Sequence, residues 1–259
     1  MPRTAPIRYE LVDGVAEVTL AKPPFNGLDA AFLGDLLAAL KRAKADEAVR
    51  AVIVRSGLEK VFCGGLDLTQ IVGKPRQDVR AVVERLYVEL WDVQREMGKP
   101  TLAAIGGAAR GGGMTLAISC DVIVASETAS FGYPEIKLGL PPAIHFAHLP
   151  RVAGRAKAFE LLFSGRTFAP DEALSIGLIN KVTPSADLLA ETRALAAAFA
   201  EKSPRAIDMA RAAFVRASDA GYRDAVAQAV DDFCDMAMTE DAQEGMRAFL
   251  EGRTPRWAR

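Results

Sequence analysis

Glu135 stands directly after a proline in Phe131-Gly132-Tyr133-Pro134-Glu135, with apolar residues around it. A carboxylate partly removed from water holds its proton more tightly, which suits a general base working near neutral pH. Upstream lie Gly106-Gly107 and Gly111-Gly112-Gly113, the second running straight into the apolar, helix-like Met114-Thr115-Leu116-Ala117-Ile118. Glycines at a loop-to-helix junction let the backbone approach a ligand closely, and the helix start offers unpaired N–H groups and a positive dipole end. Such a junction can hold an anion, including an oxyanion that exists only during a reaction. It can equally do no more than turn a strand into a helix. The segment matches neither GxxxxGK[ST] nor GxGxxG, which argues against phosphate cradling.

A second signature adds to the first. Residues 61–69 read VFCGGLDLT, after a strand-like Ala51-Val52-Ile53-Val54 and a turn at Gly57. With it the chain resembles the crotonase (enoyl-CoA hydratase/isomerase) superfamily. The resemblance rests on Pro23-Pro24-Phe25-Asn26-Gly27-Leu28, Phe62-Cys63-Gly64-Gly65-Leu66-Asp67, Gly111-Gly112-Gly113 with Cys120-Asp121, and residues 131–139. A further match, EGMRAFLEGRTP at 244–255, falls on the family's C-terminal helix, so nearly the whole chain is covered.

The resemblance implies an α/β fold, a crotonase-like spiral of ββα units with a C-terminal helical tail. It also implies stabilisation of a thioester enolate by two backbone N–H groups, which fall here on Leu66 and Gly112. Substrate contacts carried over are Asp67 and Leu68, with Gly64 lining the adenine end. Lys22, before Pro23, falls where relatives approach the coenzyme A phosphates. Many hydratases carry a lysine at the position of Gly252, which leaves Arg253 as a substitute. No separate cofactor is implied, because coenzyme A is part of the substrate.

In typical hydratases two carboxylates supply acid and base. Here the second falls on Glu135, whereas the first is Thr115. A threonine hydroxyl titrates far outside the working range and cannot replace a carboxylate base. A 1,3 proton shift needs only one group that removes a proton and returns it elsewhere. The leading expectation is therefore enoyl-CoA double-bond isomerisation with Glu135 as the single base. Enoyl-CoA hydration or a hydroxycinnamoyl-CoA hydratase-lyase reaction is the alternative, since such lyases pair this glutamate with a small hydroxyl residue at the other position. A thioester hydrolase using Glu135 or His145, or a silent binding member, are further readings. Intact Gly112 and Glu135 argue against the silent one.

Other polar residues have two readings each. Tyr133 either walls the acyl pocket or packs in the core. His145 and His148, the two histidines, share a helical face at i,i+3 but lack a third ligand nearby, so packing is preferred to a metal site.

The elements that must position these groups follow from periodicity. Asp13-Gly14 between two alternating apolar runs marks a hairpin, with Ala16, Val18 and Leu20 inward and Glu17 and Thr19 facing water. Asp29 caps a helix carrying Phe32, Leu36, Leu37 and Leu40. Residues 73–80 read as a polar surface loop, and Leu86, Leu90, Val93 and Met97 form the stripe of the next helix. Residues 1–195 are expected to form the ββα core with the thioester site, and 196–259 a helical oligomerisation region. The apolar stripe of Val226, Val230, Phe233 and Ala237 exceeds what the core must bury, and the family assembles as a homotrimer or a dimer of trimers.

Composition bounds the rest. At 259 residues, 50% hydrophobic and with net charge −1, the chain can bury a large core and shows no electrostatic bias toward nucleic acid or membrane. No apolar run reaches the length of a membrane span, and residues 1–10 show no signal-peptide pattern. Cys63, Cys120 and Cys234 lack CxxC spacing, which suggests reduced thiols in a cytoplasmic protein, and the family resemblance implies a place in fatty acid metabolism.

Overall fold

A computed structural model describes residues 5–219 and 221–256. Strands β1 (Ile7–Val12) and β2 (Val15–Leu20) pair antiparallel around Asp13 and Gly14, whose φ values are 49° and 78°. Two left-handed residues give the turn whose twist matches the flanking strands, which is what Asp-Gly predicts. Helix α1 (Ala30–Ala45) follows, its Phe32 N–H donating to the Asp29 carboxylate at 2.8 Å.

The chain then repeats one pattern. β3 (Ala51–Ser56) and β4 (Val61–Cys63) precede α2 (Arg76–Glu84) and α3 (Leu90–Arg95), which are joined through a π-helical turn at Arg85–Glu89. β5 (Thr101–Ile105) and β6 (Ala108–Arg110) precede α4 (Gly112–Ser119). β7 (Val122–Ser126) and β8 (Ser130–Gly132) precede α5 (Ala143–Ala153) and α6 (Arg155–Ser164). After β9 (Thr167–Phe168), α7 (Pro170–Ser175) and β10 (Lys181–Thr183) come α8 (Leu188–Ala200), α9 (Pro204–Ser218), α10 (Tyr222–Ala237) and α11 (Glu240–Leu250).

In each repeat the first strand joins a six-stranded sheet, β1-β2-β3-β5-β7-β10, and the second a four-stranded sheet, β4-β6-β8-β9. From β2 onward the large sheet is parallel. This is the expected α/β spiral of ββα units. It stacks successive strand-to-helix turns beside one another, and that stacking builds the site.

Three expectations change. The water-facing side of β2 is buried, because α8 covers the second face of the large sheet, with Ala196, Leu195 and Phe199 against Val15, Ile53 and Leu102. Glu17 is 1% exposed and is held by Arg55 and Arg193. The polar stretch 73–80 is not a loop throughout: α2 begins at Arg76 and buries Val79, while Arg76 and Arg80 pair with Asp231 on α10. Val226, Val230, Phe233 and Ala237 are all buried within the chain itself, where α10 packs on α2 and α5. That stripe is thus spent on the fold and gives no reason for self-association. Among the described residues, no helix is long and apolar enough to cross a membrane.

Candidate active site

The site is assembled where three turns meet. Asn26, buried and at φ 53°, donates from Nδ2 to Phe62 O at 2.8 Å and to Ser56 Oγ at 2.9 Å, pinning 22–28 to β4. Gly64 N–H donates to Phe25 O at 2.8 Å, Leu28 N–H to Gly65 O at 2.9 Å, and Asp67 N–H to Leu28 O at 3.0 Å. The last two bonds form an isolated parallel bridge between Leu28 and Leu66. In such a bridge the flanking residues supply the bonding groups, so the Leu66 N–H points to the opposite side.

That side faces the start of α4. Gly65 has φ +98°, and a Cβ there would lie 2.9 Å from Arg110 O and 3.2 Å from Gly112 N. A Cβ on Gly112 would lie 3.3 Å from Leu66 N, between the Leu28 and Leu86 methyls at 3.1 and 3.0 Å. Gly65 therefore requires glycine, whereas a side chain at 112 fits once the Leu28 and Leu86 methyls give by a few tenths of an ångström, and the two turns bring the Leu66 and Gly112 amides close to one another. Gly112 is the first residue of α4, so its N–H has no partner within the helix. Gly113 serves packing, since a Cβ there would lie 2.1 Å from Cys63 O.

Glu135 enters from a 3-10 turn, Pro134–Leu138, closed by Gly139 in the left-handed region at φ 72°. α11 docks on this turn through Gly245, where a Cβ would lie 2.4 Å from Leu138 O. This contact accounts for the glycine at 245 within the C-terminal match. The Glu135 carboxylate lies over Gly111, with Oε1 3.0 Å from where a Gly111 Cβ would stand. Its Oε2 is enclosed and without a partner among the described residues. Burial raises the pKa to about 7, opposed only by its own backbone N–H.

These groups open onto a cavity of about 490 Å³ walled by Gly64, Leu66, Asp67, Leu68, Gly112 and Glu135 together with apolar side chains. Asp67 Oδ1 accepts from Thr69 N–H at 3.0 Å and Thr69 Oγ1 at 2.8 Å, so it caps its own turn. The structure therefore brings together six of the residues expected from sequence. Two others stand apart. Tyr133 is 0% exposed and packs behind the site, its ring 4.5 Å from that of His145, so the core reading holds. Lys22 donates to Gly27 O at 2.7 Å and pairs with Asp29, beside a separate depression. Its ammonium is occupied within its own loop. Arg253 donates through both terminal guanidinium nitrogens to Glu244, at 2.5 and 3.0 Å, and through Nε to Glu251 at 2.6 Å.

Tyr87, Phe233, Phe249 and Leu250, which wall the same cavity, were not legible as site residues. Leu86 belongs to a helical stripe that reads as core, and of Leu86, Leu90, Val93 and Met97 only Leu86 walls the cavity. Phe233, Phe249 and Leu250 come from the C-terminal helices α10 and α11.

Thr115 is 2% exposed and sits three residues beyond Gly112 on α4, its Oγ1 3.4 Å from His145 Nε2. His145 and His148 both lie on α5, the first buried and the second partly buried, and loss of water around the rings holds their pKa values down at about 3 and about 4. Both imidazoles are neutral at ordinary pH.

Two backbone amides converging opposite a desolvated carboxylate, in an apolar cavity, are the parts of a site that removes a proton beside a carbonyl. The family model described as enoyl-CoA hydratase/isomerase matches residues 10–259. A probable enoyl-CoA hydratase echA8 of Mycobacterium bovis is 35% identical over 245 residues, 94% of each chain. The 2,3-dehydroadipyl-CoA hydratase of Escherichia coli is 35% identical over 240 residues, 92% of each. Among solved structures, human mitochondrial delta3-delta2-enoyl-CoA isomerase superposes with a TM-score of 0.87 at 25% identity, covering 96% of this chain and 98% of that one. The chain belongs to the enoyl-CoA hydratase/isomerase family and is an enzyme of that family.

Proposed function

We propose that the chain catalyses enoyl-CoA double-bond isomerisation by a single-base proton shift. Glu135 removes a proton from C2 of a 3-enoyl thioester, and the electron pair delocalises onto the thioester oxygen. The Leu66 and Gly112 N–H groups hold that oxygen while the charge is present. The Glu135 carboxylic acid then returns the proton to C4, and the double bond moves from C3–C4 to C2–C3. The observation that carries this reading is one carboxylate, at about pKa 7, beside paired free amides with a threonine at the other acid/base position. At that pKa the group is ionised enough to take the proton and acidic enough to give it back.

Hydration is the second reading, favoured by the names of the relatives at 35% identity. Incubation with 2-enoyl-, 3-enoyl- and hydroxycinnamoyl-CoA thioesters separates the two by mass, because water addition increases the product mass and isomerisation does not. The 3-enoyl substrate is expected to be consumed without mass change. Rapid water addition to the 2-enoyl substrate would overturn the isomerase reading.

Thr115→Ala is expected to slow isomerisation by about tenfold, as for one lost hydrogen bond, far less than loss of the base. Thr115→Glu would restore a second carboxylate and is expected to raise water addition to a 2-enoyl-CoA. Both rates are read from the same thioester panel.

The pH dependence follows from Glu135. The working form is the carboxylate, so kcat/KM rises with pH through about 7 and then levels. His145 and His148 titrate near 3 and 4 and add no limb above pH 5. A profile falling between pH 6 and 8 would contradict this assignment.

A further inference from the structure

We propose that His145 is a positioning residue: its Nε2–H donates to Thr115 Oγ1 and thereby directs the Thr115 hydroxyl proton toward the space between Glu135 and the paired amides. The proposal rests on the proton-transfer reading of the site. Side-chain bonds on a helix lean toward its N-terminus, so Thr115 lies beneath the turn that carries Gly112. Threonines inside helices often donate their hydroxyl to the carbonyl four residues back, as Thr192 does to Leu188 O at 2.7 Å. Thr115 does not. The Gly111 carbonyl already accepts from the Met114 and Thr115 N–H groups at 2.8 and 3.1 Å. Among the described residues the Thr115 hydroxyl has one partner, His145 Nε2 at 3.4 Å.

The direction of that bond follows from the other ring nitrogen. His145 is 0% exposed, and its Nδ1 has no partner among the described residues. A buried N–H without an acceptor costs more than an unused lone pair, so the proton of the neutral ring sits on Nε2. Burial, with His148 as the lesser cause, keeps the ring from taking a second proton and outweighs the opposing pull of the nearby Gly111 carbonyl. The Tyr133 ring, at a centroid distance of 4.5 Å, holds the imidazole in place. With Oγ1 accepting from His145, the hydroxyl proton of Thr115 is free to donate. The side chain leans toward the Gly111 turn, over which the Glu135 carboxylate lies, with Oε2 unpartnered. A fixed neutral donor there would orient a carboxylate or substrate oxygen without competing for the proton.

The test is a double-mutant cycle on kcat and KM with whichever enoyl-CoA the unmodified protein turns over. His145→Leu and Thr115→Val are each expected to lower kcat about tenfold with KM changed less than about twofold, as for one hydrogen bond made in the transition state. The double variant is expected to be no slower than either single one, because both remove the same bond. His145→Gln keeps an amide donor and should remain within about threefold of the parent kcat. Full additivity, or an unchanged kcat in His145→Leu, would overturn the proposal. If His145→Leu does not fold, His145→Gln and Thr115→Val carry the test, and parental turnover in Thr115→Val would overturn it. Glu135→Gln is measured alongside: turnover retained there defeats the single-base reading, whereas turnover lost there without coupling at 115 and 145 defeats only the role of His145.

Discussion

Replacing Glu135 by Gln is expected to reduce isomerisation at least ~10²–10⁴-fold, the usual contribution of general acid–base catalysis. The amide keeps the shape of the side chain and its place over Gly111, so thioester binding should persist. The substitution also has a signed effect on stability. Below about pH 4.5 the carboxyl is protonated in both the folded and the unfolded chain. Between there and about 7 the folded chain keeps a proton that the unfolded chain has lost. The parent therefore loses stability as pH rises through this window, and the difference is constant above it. Glu135→Gln removes that loss, so its melting temperature relative to the parent should rise from pH 5 to pH 8. Thermal melts at both pH values check the sign, and a relative rise at acid pH would contradict the burial of an unpaired carboxylate.

Gly112→Pro is expected to abolish turnover of any thioester while leaving the chain folded. Proline is well suited to the first position of a helix, where its missing N–H would find no helical partner. That missing N–H is one of the two amides assigned to the thioester oxygen. Loss of one such donor typically costs ~10²–10³ in kcat. Gly113→Ala is the contrasting variant. Its methyl would meet Cys63 O at 2.1 Å, so it should impair folding rather than chemistry. Circular dichroism and turnover on both variants distinguish a donor from a packing glycine, and near-parental turnover in folded Gly112→Pro would remove Gly112 from the oxyanion role.

What was legible in the sequence is what the backbone itself does. Asp13-Gly14, Asp29 and the glycines at 64, 65 and 111–113 announce turns, caps and close approaches through their own conformational limits, and the structure places them accordingly. Leu66 could be assigned a role only by resemblance, because an amide donor leaves no trace in its side chain. The burial of Glu17 was hidden because it depends on α8, whose Arg193 lies 176 residues away in sequence. The same holds for the cavity wall: Tyr87, Phe233 and Phe249 come from three different helices, and nothing local separates a residue facing a cavity from one facing the core. Tyr133 shows the converse. It adjoins Glu135 in sequence, yet it points behind the site into contact with His145.

The account turns on one carboxylate moving one proton between two carbons. Its most direct measurement is a single turnover of 3-enoyl-CoA carrying deuterium at C2, followed by location of the label in the 2-enoyl product. A proton held on an enclosed Glu135 should be returned in part to C4, so a fraction of the deuterium is expected there. Deuterium released wholly to water, with none at C4, would contradict the single-base shift.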